Sequence, residues 1–91
     1  MANFILAYKC ETAPTPERMD AFLTMRADNC VQIIPNVWWV NFGGTASELR
    51  NWMQRILNPD DLLVVIEAKN AAWTEILVDS DVFAHAWDQA A

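Results

Sequence analysis

The sequence predicts a single α+β domain in which strands and helices follow the order βαββαβ, with an added C-terminal strand and helix. Apolar runs typical of strands occupy residues 4–10, 31–42 and 62–66. Two intervening segments, residues 15–29 and 45–57, repeat apolar residues at helical spacing behind N-terminal capping residues. The chain has 91 residues, which is the length of one domain with one small core.

The first strand and helix are predicted from alternation and from a helix-start signal. In Phe4–Cys10 both alternating faces are mostly apolar, which is typical of a central strand covered on two sides. Thr15 is suited to cap a helix whose first position is Pro16. Apolar residues at helical spacing predict that this helix continues to about Asn29.

Val31–Phe42 predicts a β-hairpin, around which we expect the other elements to be arranged. Pro35-Asn36 is a turn signal, because Pro fixes φ and Asn tolerates a left-handed backbone. The alternative is one long bent strand through Pro35. Adjacent strand residues face opposite ways, so one of Trp38 and Trp39 must point away from the helices. We interpret that tryptophan as a contact with a second subunit or another partner.

A capping box at Thr45–Glu48 begins the second helix, and Asn58-Pro59 ends it. The preceding Gly43-Gly44 resembles a phosphate-binding loop. No Lys-Ser/Thr pair follows it, however, so we interpret it as a tight turn between strand and helix.

The last third of the chain predicts two strands and a helix. Leu62–Ile66 has no polar alternation, which indicates a strand buried on both faces. Trp73–Val78 alternates weakly and predicts the added strand, and Asp79–Asp81 caps the terminal helix. Right-handed crossovers place the two main helices on one sheet face, which is the ferredoxin-like arrangement. We expect the C-terminal helix or a second subunit to cover the other face.

Composition predicts self-association and restricts nucleic-acid binding. The hydrophobic content is 54% with five Trp, more apolar material than one small core needs, so we expect a homodimer. The net charge of −6 lies entirely in residues 59–91, where seven acids accompany Lys69 alone. Phosphate-binding proteins normally have the opposite sign, so a nucleic-acid role would depend on the Arg residues of the first half.

The chain is expected to be cytoplasmic. It contains no signal-peptide pattern at Met1–Cys10 and no apolar run long enough to span a membrane. Cys10 and Cys30 are predicted to be separate buried thiols. They lie at opposite ends of the first helix, and its length keeps their Cα atoms too far apart for a disulfide.

Between residues 3 and 78 the chain resembles the small ferredoxin-like CRISPR-associated adaptation and nuclease proteins, and more closely their uncharacterised SinR-like relatives. The matching segments are Phe4–Tyr8, Val31-Gln32 with Pro35–Trp38, Ser47–Arg50 and Asp60–Glu67. The resemblance implies a homodimer that stacks sheet face on sheet face. It also implies a metal-dependent nuclease where an Asp follows the Tyr that ends the first strand. Here Lys9 follows Tyr8 in place of that Asp. Because Lys cannot bind a cation, of the two roles that the resemblance implies only the scaffold role remains.

We therefore expect a non-catalytic homodimer that binds protein or nucleic acid as a scaffold or regulator, without catalytic, cofactor-binding or metal-binding residues. The candidate interface residues are Tyr8, Lys9, Trp38 and Trp39. One alternative is a nuclease with a displaced carboxylate set, Glu11 with Asp60 or Asp61. Another is an acidic inhibitor whose last third substitutes for phosphate.

Two further carboxylate patterns have a chemical and a structural interpretation. Asp81, His85 and Asp88 have the helical spacing of a possible metal site, or they form a solvated helix face. The acids at 60–61 and 79–81 could act as acid and base, but turn and cap chemistry explains them equally well.

Overall fold

The structure is a computed structural model that describes residues 2–10, 12, 14–74 and 76–90, with the backbone alone at residues 80 and 88–90. Within these residues the chain forms four strands and three helices. In chain order they are β1 (Ala2–Lys9), α1 (Pro16–Leu23), β2 (Asn29–Ile34), β3 (Val37–Phe42), α2 (Ala46–Met53), β4 (Leu62–Ala68) and α3 (Ser80–Ala90). The predicted α+β class is confirmed.

The four strands form one antiparallel sheet in the order β2-β3-β1-β4. β1 is central, and its Leu6 pairs with Trp38 of β3 on one side and with Val65 of β4 on the other. The predicted hairpin of β2 and β3 is confirmed, so the alternative of one bent strand is wrong. Asn36 in its turn has a φ of 62°, the left-handed conformation that Asn tolerates.

Both main helices begin as the sequence predicts. Thr15 Oγ1 accepts a hydrogen bond from Arg18 N at 3.2 Å, with Pro16 at the first helical position. The capping box of α2 is complete, because Thr45 and Glu48 each accept a bond from the other's backbone N–H at 3.2 Å.

The first helix is shorter than predicted, ending at Leu23 rather than near Asn29. After it Ala27 N donates to Leu23 O at 2.8 Å, and Asp28 N donates to Asn41 O at 2.9 Å. The second of these bonds joins the chain to the sheet. The apolar residues that continue the helical spacing beyond Leu23 therefore lie in a turn and at the start of β2.

The main core lies between the sheet and helices α1 and α2. Alternate residues of β1 and β3 meet both helices there, which fixes the register of the sheet. The fully buried side chains are Phe4, Leu6, Met19, Leu23, Val40, Leu49 and Met53.

A second, aromatic core lies on the other sheet face beneath α3. Trp39 is 1% exposed, and its ring meets Phe83 edge-on at 5.6 Å. Phe83 in turn contacts Trp73 and Trp87, with ring centroids 4.7 and 6.0 Å away. The far face of the sheet is therefore covered in part by the chain's own C-terminal helix.

Two predictions for the last third are wrong. The described residues of Trp73–Val78 form no strand; Leu77 N donates one bond to Ile33 O at 2.8 Å, while neighbouring apolar side chains pack into the aromatic core. Glu75 lies outside the described residues. The prediction that Leu62–Ile66 is buried on both faces fails because the aromatic core beneath α3 reaches β4 only at Ala68, which leaves Leu62, Val64 and Ile66 exposed on the far face. Among the described residues, no helix has both the length and the apolarity to cross a bilayer.

Candidate functional site

The most distinctive surface of the molecule is a row of apolar side chains on β4, which we call the β4 patch. It consists of Leu62, Val64 and Ile66, whose side chains are 64%, 53% and 53% exposed. Their alternation places them on the sheet face opposite α1 and α2, while Leu63 and Val65 pack against the main core. Solvated apolar rows of this kind mark interaction surfaces.

The patch is uncovered because of where α3 lies. Phe83 and Trp87 of α3 form the aromatic core with Trp39 of β3, and Val31, Ile33 and Ile5 of the sheet pack against that core. The aromatic core reaches only Ala68 at the end of β4. The far side of the sheet is therefore stepped, with α3 raised over β3 and the Ile5 part of β1, and with the low half formed by β4 and the Lys9 end of β1.

The backbone of β4 is also open along one side. Among the described strands, β4 pairs only with β1, from Asn3↔Ala68 to Lys9↔Leu62. An edge of this type presents unpaired N–H and C=O groups to any chain that approaches it. The open edge and the β4 patch adjoin each other, so one partner could cover both.

The structure separates the four candidate interface residues. Tyr8 and Trp38 are buried in the main core, and Trp39 is buried in the aromatic core. Lys9 alone has an exposed side chain, and it pairs with Leu62 at one end of the β4 patch. In this conformation the three aromatic side chains have little exposed surface.

Sequence reasoning missed the β4 patch. The run Leu62–Ile66 carries the signal, because five consecutive apolar residues place apolar side chains on both faces, and an uncovered face then leaves its side chains exposed. Its edge position depends on the pairing of β1 with β3, which no local pattern reveals.

Three groups in or beside the sheet, Cys30, Cys10 and Tyr8, have raised pKa values. Burial, and after it the Asp20 carboxylate, which accepts the thiol's hydrogen bond at 3.5 Å, raise the pKa of the Cys30 thiol to about 12. Burial also raises the pKa values of Cys10 and Tyr8. Both cysteines are free thiols, as predicted, although Cys10 is only half-buried. Neither has the lowered pKa of a reactive thiolate.

Two of the carboxylate candidates, Asp61 and Asp79, have structural roles. Asp61 Oδ2 accepts a bond from Asn58 N at 2.7 Å, and Asp79 Oδ1 accepts bonds from Asp81 N and Val82 N at 2.9 and 3.1 Å. The described part of the chain holds no group of three or more His, Cys, Asp or Glu side chains that could bind a metal. Glu11 and the Asp88 side chain lie outside the described residues.

Comparison of this chain with family models, curated proteins and solved structures finds no match. Functional inference therefore starts from the geometry of the β4 patch and of the stepped far face.

Proposed function

We propose that the protein is a non-catalytic interaction module that acts as a homodimer, with the low half of one far face, formed by β4 and the Lys9 end of β1, packed on that of a second copy. The element order and the strand order β2-β3-β1-β4 support a ferredoxin-like fold. The resemblance to CRISPR-associated adaptation proteins supports the scaffold role. The β4 patch is the observation on which this proposal depends.

The stepped shape determines how two copies can meet. Packed sheets lie about 10 Å apart, so a second sheet fits only where α3 is absent. A two-fold axis running along the strands places low half on low half. It also sets α3 of each copy beside the open β4 edge of the other. A two-fold axis that runs between the sheets at right angles to the strands would instead place the α3 helices of the two copies against each other.

Charge at one end of the patch favours the same arrangement. Lys9 pairs with Leu62, and Asp60 precedes Leu62 by two residues, so both charges lie at this end. The two-fold axis along the strands brings Lys9 of each copy towards Asp60 of the other. Their attraction offsets the repulsion between the two Lys9 side chains.

The energetics predict a moderate affinity. A standard interface removes about 800 Å² from each partner, roughly one seventh of the 5868 Å² accessible surface of this chain. Burying the exposed part of each patch side chain contributes about 1 kcal/mol, and the partly exposed β1 residues and α3 must supply the rest. We therefore expect the dimer to dissociate on dilution.

Light scattering across a concentration series tests the proposal. Wild-type protein should shift from the mass of one chain to that of two, whereas Ile66→Lys should remain monomeric because the interface would bury its charge. Ile34→Lys is the matched control, since Ile34 is 44% exposed on the opposite edge strand. A wild-type monomer at every concentration, or equal loss in both variants, contradicts the proposal.

A charge exchange tests the orientation. Lys9→Glu and Asp60→Lys should each weaken the dimer, and the double variant should restore it. Failure of the double variant to recover would exclude the two-fold axis along the strands. Mg²⁺-dependent cleavage of RNA or DNA that disappears in Asp61→Asn would contradict the non-catalytic part of the proposal.

A further inference from the structure

An aromatic side chain on α2 gathers two arginines from separate parts of the chain. The Trp52 ring is stacked on Phe22 of α1, with centroids 4.7 Å apart and planes 14° apart. The Cζ atoms of Arg26 and Arg55 lie 4.7 and 4.6 Å from the Trp52 ring centroid. These are cation–π distances, and together they place the two Cζ atoms no more than 9.3 Å apart (4.7 plus 4.6 Å).

The charges of this cluster are not neutralised within the described chain. Neither Arg26 nor Arg55 forms an ion pair there. Glu48 is the one acid that lines the same cavity, and its carboxylate accepts the Thr45 N–H in the capping box. Arg50 lies one residue from Asn51 of the lining and donates to its side chain at 3.3 and 3.2 Å. A positive site thus exists on a protein of net charge −6.

The cavity beside the cluster is small and polar. Its volume is about 210 Å³, and it is lined by Arg26, Glu48, Asn51, Trp52 and Arg55. Trp52 is 9% exposed, and its indole N–H has no hydrogen-bond partner among the described residues. Pockets for drug-sized ligands begin at about 300 Å³, so this space suits a small anionic group.

We propose that Arg26 and Arg55 bind a phosphate group at this site. A guanidinium held over a ring keeps its in-plane N–H donors available, and two such groups match the oxygens of phosphate. Phe22 and the two guanidinium groups already occupy the Trp52 ring, so recognition is through phosphate rather than through base stacking. The phosphate belongs to a polyphosphate such as pyrophosphate or to a nucleic-acid backbone. This site lies on the helical side of the sheet and does not depend on self-association.

Titration followed by NMR tests the site. Isotope-labelled protein is titrated at constant ionic strength with pyrophosphate, and separately with a single-stranded oligothymidylate. We expect the side-chain N–H signals of Arg26, Arg55 and Trp52 to shift together. Stronger binding of the oligonucleotide assigns the site to a nucleic-acid backbone, and stronger binding of pyrophosphate assigns it to a soluble polyphosphate.

Charge-matched variants separate the site from general electrostatics. Arg26→Gln and Arg55→Gln should each weaken binding about tenfold, because each removes charged hydrogen bonds. Arg18→Gln removes the same charge from an exposed part of α1 and should change binding less than about twofold. Arg55→Lys keeps the charge without the fork and should bind between wild type and Arg55→Gln.

Three outcomes overturn the inference: no shift of the three side-chain signals in wild-type protein, equal weakening in Arg18→Gln, or full binding by folded Arg55→Gln. If a Gln variant fails to fold by circular dichroism, the wild-type titration decides, since it requires no substitution.

Discussion

At the scale of single residues, the two buried asparagines of the sheet, Asn3 and Asn41, have definite hydrogen-bond partners. Trp39 Nε1 donates to Asn3 Oδ1 at 2.8 Å, and Asn41 Nδ2 donates to Ala2 O at 3.2 Å. Asn3 and Asn41 are each 5% exposed and pair across β1 and β3. These bonds satisfy amides that lie beside an aromatic core, where an unpaired group would be costly.

Removing the acceptor of the Trp39 N–H should destabilise the protein. Asn3→Leu leaves that donor buried without a partner, and we expect the free energy of unfolding to fall by about 1–3 kcal/mol. Urea denaturation measures it. The double variant Asn3→Leu, Trp39→Phe removes both partners, and a coupling energy near zero in the double-mutant cycle would contradict the role of this bond.

The Cys30 thiol should make stability depend on alkaline pH. Its folded-state pKa is raised to about 12 by burial and by Asp20, so the unfolded chain loses the thiol proton first as pH rises. The contribution is complete below the ordinary thiol pKa of 9.0 and is lost between there and about 12. Urea denaturation from pH 8 to 10.5 should show a decline that is smaller in Cys30→Ala. An equal decline in Cys10→Ala and Cys30→Ala would contradict this assignment.

At the scale of elements, local signals determine where helices begin but not where they end. The capping box of α2 depends on Thr45 and Glu48, which are three residues apart, so the sequence alone identifies it. The end of α1 depends on Asn41, which takes the Asp28 N–H from a distant strand. Helix starts are therefore predicted correctly here, and helix ends are not, since α2 also ends early, at Met53 rather than before Asn58-Pro59.

The capping box offers a direct test at this scale. Thr45→Ala removes the acceptor of the Glu48 N–H, and we expect the free energy of unfolding to fall by about 1 kcal/mol. Thr24→Ala is the control, since the Thr24 hydroxyl donates only to Ala21 O in an exposed turn. Chemical denaturation of both variants should show the larger loss for Thr45. Equal losses would mean that the cap is not a specific contribution.

The strands show the same division between local and distant information. Alternation in β1 and β3 correctly predicts that Trp38 and Trp39 face opposite ways. Alternation does not show which side chains of the far face remain exposed. That depends on α3, whose Phe83 covers Trp39, and on the position of β4 at the edge of the sheet. The cluster around Trp52 was missed for a similar reason, since its arginines come from segments 29 residues apart in the sequence.

At the scale of the whole molecule, association should be visible in thermal stability. A homodimer that forms only from folded chains raises the unfolding temperature as protein concentration increases. We expect this dependence for wild type and for Ile34→Lys, and its absence for Ile66→Lys. Calorimetry over a hundredfold concentration range measures it. A wild-type unfolding temperature that does not change with concentration would contradict dimerisation through the β4 patch.

The position of α3 in the chain also has a consequence for biosynthesis. All four strands precede this helix, so on the ribosome the sheet can form while Trp39 still lacks its cover. During that interval the nascent chain exposes the far side of the sheet as one continuous apolar surface. Translation arrested before residue 80 should therefore yield a product that chaperones retain, whereas release after α3 should free it.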